Sequence, residues 1–193
     1  MALKLDHLDD ITREYMVEEI QGDLSEGKVY ISSRLNAAGK IEFPELLIAS
    51  AKSGNDSTLA ESLRGYFNEK ELSGKGSYKS IPYNANVTLA EGEYNRYYIR
   101  ALCMRAITER KRVEVCRVRY SSSPRPESEC KIGEIVDATT LLKDLRNNPG
   151  QNTFLGIPGG VNSGLSVKLI DWSNIFNKQL QETIILVYWK WNI

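Results

Sequence analysis

Apolar positions recur at helical spacing in some stretches of this chain and alternate with polar ones in others. Residues 8–21 predict a helix, with Asp9 or Asp10 as cap, Glu14 in an early turn, and Ile11, Tyr15 and Ile20 as a broken apolar stripe. Gly22 and Gly27 bracket its end, and Lys28–Ile31 reads as a short strand. Residues 41–53 and 57–68 predict two helices parted by Gly54-Asn55. Asp56 or Ser57 would cap the second, with Glu61 placed for a capping box. Residues 72–83 (LSGKGSYKSIPY) carry Gly, Ser, Lys and Pro82, the composition of a mobile loop or arm.

The strongest signal lies in the middle of the chain. Thr88–Glu109 predicts a long helix that opens on T-L-A-E, a capping box with Glu91. Ile99, Leu102, Cys103 and Ala106 then follow at the i, i+3, i+4, i+7 spacing of one apolar face, so this helix is the expected hub of the core. Val113–Tyr120 (VEVCRVRY) alternates and predicts a strand with a charged face. Residues 121–129 (SSSPRPESE) read as an exposed turn. Ala138–Asn147 reads as a helix stopped by Asn147-Asn148-Pro149-Gly150. Residues 154–164 form a glycine-rich loop and Leu165–Ile170 a short strand. The expected fold is α+β: a helical core around one long central helix, with a small, mainly antiparallel sheet. One domain takes residues 1–170, and residues 171–193 form an aromatic-rich C-terminal arm or strand.

That terminal stretch has a composition of its own. It holds Trp172, Trp189 and Trp191 and the unbroken apolar run Ile184–Trp189 (IILVYW). The run is too short to span a bilayer, which takes ~20 apolar residues. It suits a strand added to a neighbour's sheet edge, or a last strand inserted in the chain's own sheet.

The overall balance, 41% apolar and 26% charged in 193 residues, is that of one ordinary globular domain. Met1–Asp10 lacks the apolar segment of a signal peptide, and no partner in a membrane is expected. Cys103, Cys116 and Cys130 are an odd, widely spaced set, expected to be reduced, as in a bacterial cytoplasm or a virion assembled there. With a lone histidine, His7, expected on an exposed segment, no paired Cys/His spacing predicts a metal site.

Net charge is zero but unevenly spread. Residues 1–26 carry eight acids against Lys4 and Arg13, and residues 92–125 carry nine bases against Glu93, Glu109 and Glu114. The basic region contains Arg96, Arg100, Arg105, Arg117 and Arg119, with Tyr94, Tyr97 and Tyr98 interleaved. Arginine beside tyrosine suits a protein interface, a nucleic-acid surface, or an internal layer in which the rings pack inward and acid meets base. These arginines and the three tryptophans are the candidate interface residues.

Catalytic patterns are weak. Gly159–Ser166 has the spacing of a phosphate-binding loop, but Leu165 stands where the lysine should be and a strand is expected to follow. Glu129-Cys130-Lys131 beside Pro126-Glu127 mimics a metal nuclease motif, yet its acids are too close in sequence to converge from separate strands. No catalytic residue, metal or cofactor is predicted.

Four blocks, TLAEGEYNRYYIRALCMRAI (88–107), SPRPESECKIG (123–133), LLKDLRNNPG (141–150) and GIPGGVNSGLSV (156–167), resemble a family of tailed bacteriophages and bacterial genomes with no established activity. The likeness covers roughly residues 8–170 and leaves out the terminal stretch. It implies a structural or assembly role in a virion (head decoration, connector or tail adaptor), with other virion proteins or copies of itself as partners. The alternative is a DNA-binding accessory protein that uses residues 92–125.

Overall fold

The computed structural model describes residues 2–171 apart from 73, 75, 121–122, 151–152 and 159–163. Trp172, Trp189 and Trp191, with the rest of the predicted arm beyond Asp171, lie outside the described residues, as does most of the phosphate-loop-like segment.

Helix α1 runs Asp10–Ser25, capped by Asp9, whose carboxylate accepts the Thr12 N–H at 2.9 Å. Helix α2 spans Ala37–Ser53. It begins a turn before the predicted start because Asn36 caps it, accepting from the Gly39 N–H at 2.8 Å. Helix α3 is the short Asp56–Ser62. Its capping box is made by Asn55 and Thr58, at 2.9 and 2.8 Å, rather than by Asp56 or Ser57 with Glu61. The predicted continuation to residue 68 is broken at Gly65, which takes φ +81°.

The predicted loop 72–83 contains paired structure. Strands β1 (Lys70–Leu72) and β2 (Tyr78–Ser80) form an antiparallel ribbon in which Leu72 faces Tyr78. Lys28–Ile31 joins no ladder among the described residues. Tyr30 lies instead against Gly150, where an added Cβ would sit 1.9 Å from the ring. Gly150 also has φ +66°, so both its bareness and its left-handed backbone are needed there.

Helix α4, Ala85–Glu109, is the hub. It starts a turn before Thr88, with the Ala85 N–H on the Pro82 carbonyl at 3.0 Å, so Thr88 and Glu91 are interior residues and not a capping box. α4 packs on α1, α3, helix α6 (Ala138–Asn147, capped by Asp137) and the main sheet. A helix covered on nearly its whole circumference shows no single apolar stripe. Tyr94, Tyr97, Tyr98, Ile99 and Leu102 are fully buried with Met16, Ile20, Phe43, Leu47 and Leu59 around them.

The main sheet is antiparallel with order β4-β3-β5, made of β3 (Arg112–Arg117), β4 (Ile135–Val136) and β5 (Leu165–Ile170). Val113 faces Leu169 and Val115 faces Val167, which places the apolar alternation of both strands toward α4. Between β3 and β4 a short helix α5, Pro126–Glu129, occupies part of the predicted turn. The architecture is the α+β fold expected: a long central helix, further helices around it, and a small antiparallel sheet.

Candidate functional site

The acidic start of the chain meets the basic middle inside the molecule. Arg100 donates through Nε to Glu19 at 2.6 Å and through Nη1 and Nη2 to the two oxygens of Asp23 at 2.5 and 3.0 Å. Arg146, from α6, closes on the same Glu19. The Tyr97 hydroxyl donates to Asp23 at 2.9 Å, and the Arg100 guanidinium stacks 4.9 Å from the Tyr97 ring centre. Arg105 reaches both oxygens of Asp9 at 2.8 Å, Thr12 at 2.7 Å and Glu109 at 2.7 Å. α1 is thereby fixed to α4 by charge-assisted hydrogen bonds along its length.

This placement corrects the surface reading of three candidate interface residues. Arg96, Arg100 and Arg105 are buried, because the helix that carries them has neighbours on every side. Of the internal-layer, interface and nucleic-acid readings, the internal layer describes them. Arg117 and Arg119 remain part-exposed, Arg117 on Glu129 at 2.5 Å and Arg119 on Glu91. Trp172, Trp189 and Trp191 lie outside the described residues. His7 is half-buried rather than exposed. Its backbone N–H donates to the Tyr98 hydroxyl at 3.1 Å, and burial, then Arg105, pulls the imidazole pKa down.

Beside this layer opens a cleft of about 360 Å³, within the range of small-molecule sites. One wall is α4 from Ala85 to Arg96, and the opposite wall is Tyr30, Ser32, Ser33, Arg34 and Glu71. Gly150, Pro158, Gly164 and Arg119 close the ends. The ionisable groups are paired across elements. Glu71 holds Arg34 through Nε and Nη2 at 2.7 and 2.9 Å, and Lys79 reaches Glu71 at 3.1 Å. Glu93 lies 3.7 Å from Arg96, too far for a hydrogen bond, while Arg96 Nη1 donates to the Asn148 carbonyl at 3.0 Å.

Glu93 is buried, and that burial pushes its pKa up to about 7 against the pull of Arg96 and Arg100, with Asp23 adding to the rise. Ion-pair distance and raised pKa disagree on its charge near neutrality. Burial prevails, because the 3.7 Å contact supplies no hydrogen bond to offset it. Asn95, also on this wall, donates to the Leu165 carbonyl at 2.8 Å, and its Oδ1 has no partner among the described residues.

Asp144 holds the turn that leads to the cleft's end. It accepts from the backbone N–H groups of Phe154 and Leu155 at 2.9 and 2.7 Å and from Asn148 at 2.9 Å. Asp144→Ala strands those donors and is expected to cost about 2–3 kcal/mol. Urea denaturation would register the loss, and accelerated hydrogen exchange at Phe154 and Leu155 would locate it.

The motif-like segments do not converge. Glu129 ends α5 on Arg117, and Lys131 donates to the Leu155 carbonyl at 2.8 Å. Leu165 opens a strand, not a helix whose amides would cradle phosphate. Among the described residues there is no group of three or more His, Cys, Asp or Glu side chains placed to hold a metal, and no helix long and apolar enough to cross a membrane. Burial pushes the Cys116 thiol up to about 11 and raises Cys103 as well, away from thiolate chemistry.

Sequence reasoning did not find the cleft. Its residues come from segments far apart in the chain, and the one local signal is Gly92 in the middle of a helix. No family model, curated protein or solved structure matches this chain.

Proposed function

We propose that this chain is a non-enzymatic structural or assembly subunit and, on the resemblance, a component of a tailed-phage particle that meets other virion proteins or copies of itself. The supporting observation is the β1–β2 ribbon. Leu72 and Tyr78 form a cross-strand pair with both side chains exposed, at 62% and 74%. No third strand joins either edge among the described residues. A lone two-stranded ribbon is marginal in water, and open edges beside apolar side chains are a template for a neighbouring chain. In sequence, Ile184–Trp189 supplies a second apolar segment suited to the same purpose.

Mass spectrometry of particles made by the encoding phage is expected to find the chain as a structural component. The double variant Leu72→Asp/Tyr78→Asp changes only exposed positions, so its stability should stay within about 0.5 kcal/mol per site of the parent. It should nevertheless be missing from particles. Deleting Lys178–Ile193 is expected to leave the circular dichroism spectrum unchanged and to impair assembly. Absence of the parent chain from particles, or full incorporation of the double variant, sinks the reading.

The DNA-binding alternative has less to draw on, since carboxylates already hold Arg100, Arg105, Arg117 and Arg119. A duplex titration across a salt series separates the two, because phosphate contacts give an affinity that falls steeply with salt.

A further inference from the structure

We propose that residues 2–8 form a strap across one end of the cleft, and that it opens as a unit, hinged at Asp9 and latched on Asp56. The strap is independent of any role in assembly. Ahead of Asp9 the described chain belongs to no helix and no strand ladder. Three backbone N–H groups hold it, each on a different part of the fold. The Leu3 N–H lies 3.2 Å from both carboxylate oxygens of Asp56, the first residue of α3. The Lys4 N–H reaches the Val118 carbonyl at 2.9 Å, and the His7 N–H reaches the Tyr98 hydroxyl of α4 at 3.1 Å.

Leu3 places the strap at the cleft. It is one of the lining residues, and Lys4 next to it is bonded to the neighbour of Arg119, which lines the cleft with Gly164. The Val118 N–H is already on the Gly164 carbonyl at 2.9 Å, so Lys4 takes the Val118 carbonyl just past the end of the β3–β5 ladder. Leu5 and Leu8 pack against the core, part-buried, while Lys4 and Asp6 are exposed. One side of the strap therefore covers and the other faces water.

The ties are few for the length they order. Three hydrogen bonds to the rest of the fold and three part-buried leucines oppose the backbone freedom of the whole segment, the balance of a piece that opens locally without global unfolding. Opening is also tolerable for the groups left behind. The Asp56 carboxylate keeps the backbone N–H groups of Asp56 and Ser57 at the start of α3, and water takes the strap's place on the others. Within the strap, the Leu8 N–H on the Leu5 carbonyl at 3.2 Å holds a turn together, which favours joint release. Asp9 stays in place, because its carboxylate caps α1 through the Thr12 N–H and pairs with Arg105.

Native-state amide hydrogen exchange on the full chain, followed by NMR, tests the strap. The Lys4 and His7 amides are expected to exchange with matched opening free energies, at least about a hundredfold faster than Ile99 and Leu102 in α4 once intrinsic rates are divided out. Asp56→Ala removes the latch and should accelerate Lys4 and His7 together by about tenfold, with amide shifts at Gly92 and Arg119 in the cleft. Leu3→Ser, at a part-buried site, should act in the same direction and serves if Asp56→Ala does not fold. Protection of Lys4 and His7 equal to that of α4 would make the segment ordinary core and overturn the proposal. So would acceleration of Lys4 without His7, or cleft resonances that stay in place in the variants.

Discussion

Arg100→Met is expected to lose about 3–5 kcal/mol of stability, the largest effect of any single polar substitution in this chain. Methionine matches the length and packing of the arginine stem, so the loss isolates the guanidinium. That group is the common partner of Glu19 and Asp23, and all three are buried. Without it, among the described residues Asp23 retains only the Tyr97 hydroxyl and Glu19 only Arg146. Two carboxylates desolvated with too few donors are far costlier than a lost surface pair.

Arg105 provides the comparison. Its partner Asp9 is about half exposed, so Arg105→Met should cost nearer 1 kcal/mol. Urea denaturation at pH 7 measures both. Arg100→Met/Asp23→Asn should recover part of the single-variant loss, because the stranded charge goes with its partner. A loss below about 1 kcal/mol for Arg100→Met would mean that water or rearrangement satisfies the carboxylates, and that the layer is not what joins α1 to α4.

The charge asymmetry was legible in the sequence, but its destination was not. An excess of acid in residues 1–26 and of base in residues 92–125 says only that the two segments attract. Whether they meet inside one chain depends on α4 being surrounded, which no local pattern reports. Long elements were legible for the opposite reason. The α4 periodicity persists over many turns, and β3 and β5 alternate cleanly, so pattern and packing agree.

Caps and short pieces were read less well. Asn55 caps α3 although Asp56, Ser57 and Glu61 offered an equally good sequence match, and the Asn36 cap of α2 lies upstream of the apolar pattern that marked that helix. Several capping schemes of similar energy compete at such positions, and tertiary contacts choose among them. The β1–β2 ribbon escaped notice because three-residue strands flanked by Gly and Ser carry almost no alternation. The cleft was invisible because its walls, α4 and residues 30–34, are joined only by the fold.

Glu93 and His7 titrate near neutrality with opposite signs: the lowered His7 pKa makes its contribution fall as pH drops below 6.5, and Glu93 is the part that a single variant isolates. An unperturbed glutamate titrates at 4.5, and burial raises Glu93 in the folded chain to about 7. Between those values the folded state holds a proton that the unfolded state has released, so this group's contribution to stability falls as pH rises. It is fully present below 4.5, declines across the interval, and is lost above 7. At about 1.4 kcal/mol per pH unit, the loss is on the order of 3 kcal/mol. The lowered carboxylates Asp9, Glu109 and Asp137 act at more acid pH, where they lose stability as pH falls, so their window does not overlap this one. Asp56 and Glu91, raised mainly by burial, act in the same sense as Glu93. Glu93→Gln reproduces the shape of the neutral acid and removes its titration. The variant should match the parent at pH 5, flatten the decline between pH 5 and 7, and exceed the parent by about 2–3 kcal/mol at pH 8 in urea denaturation. A variant less stable than the parent at pH 8 would show that the ionised carboxylate gains more from Arg96, at 3.7 Å, and Arg100 than burial takes away.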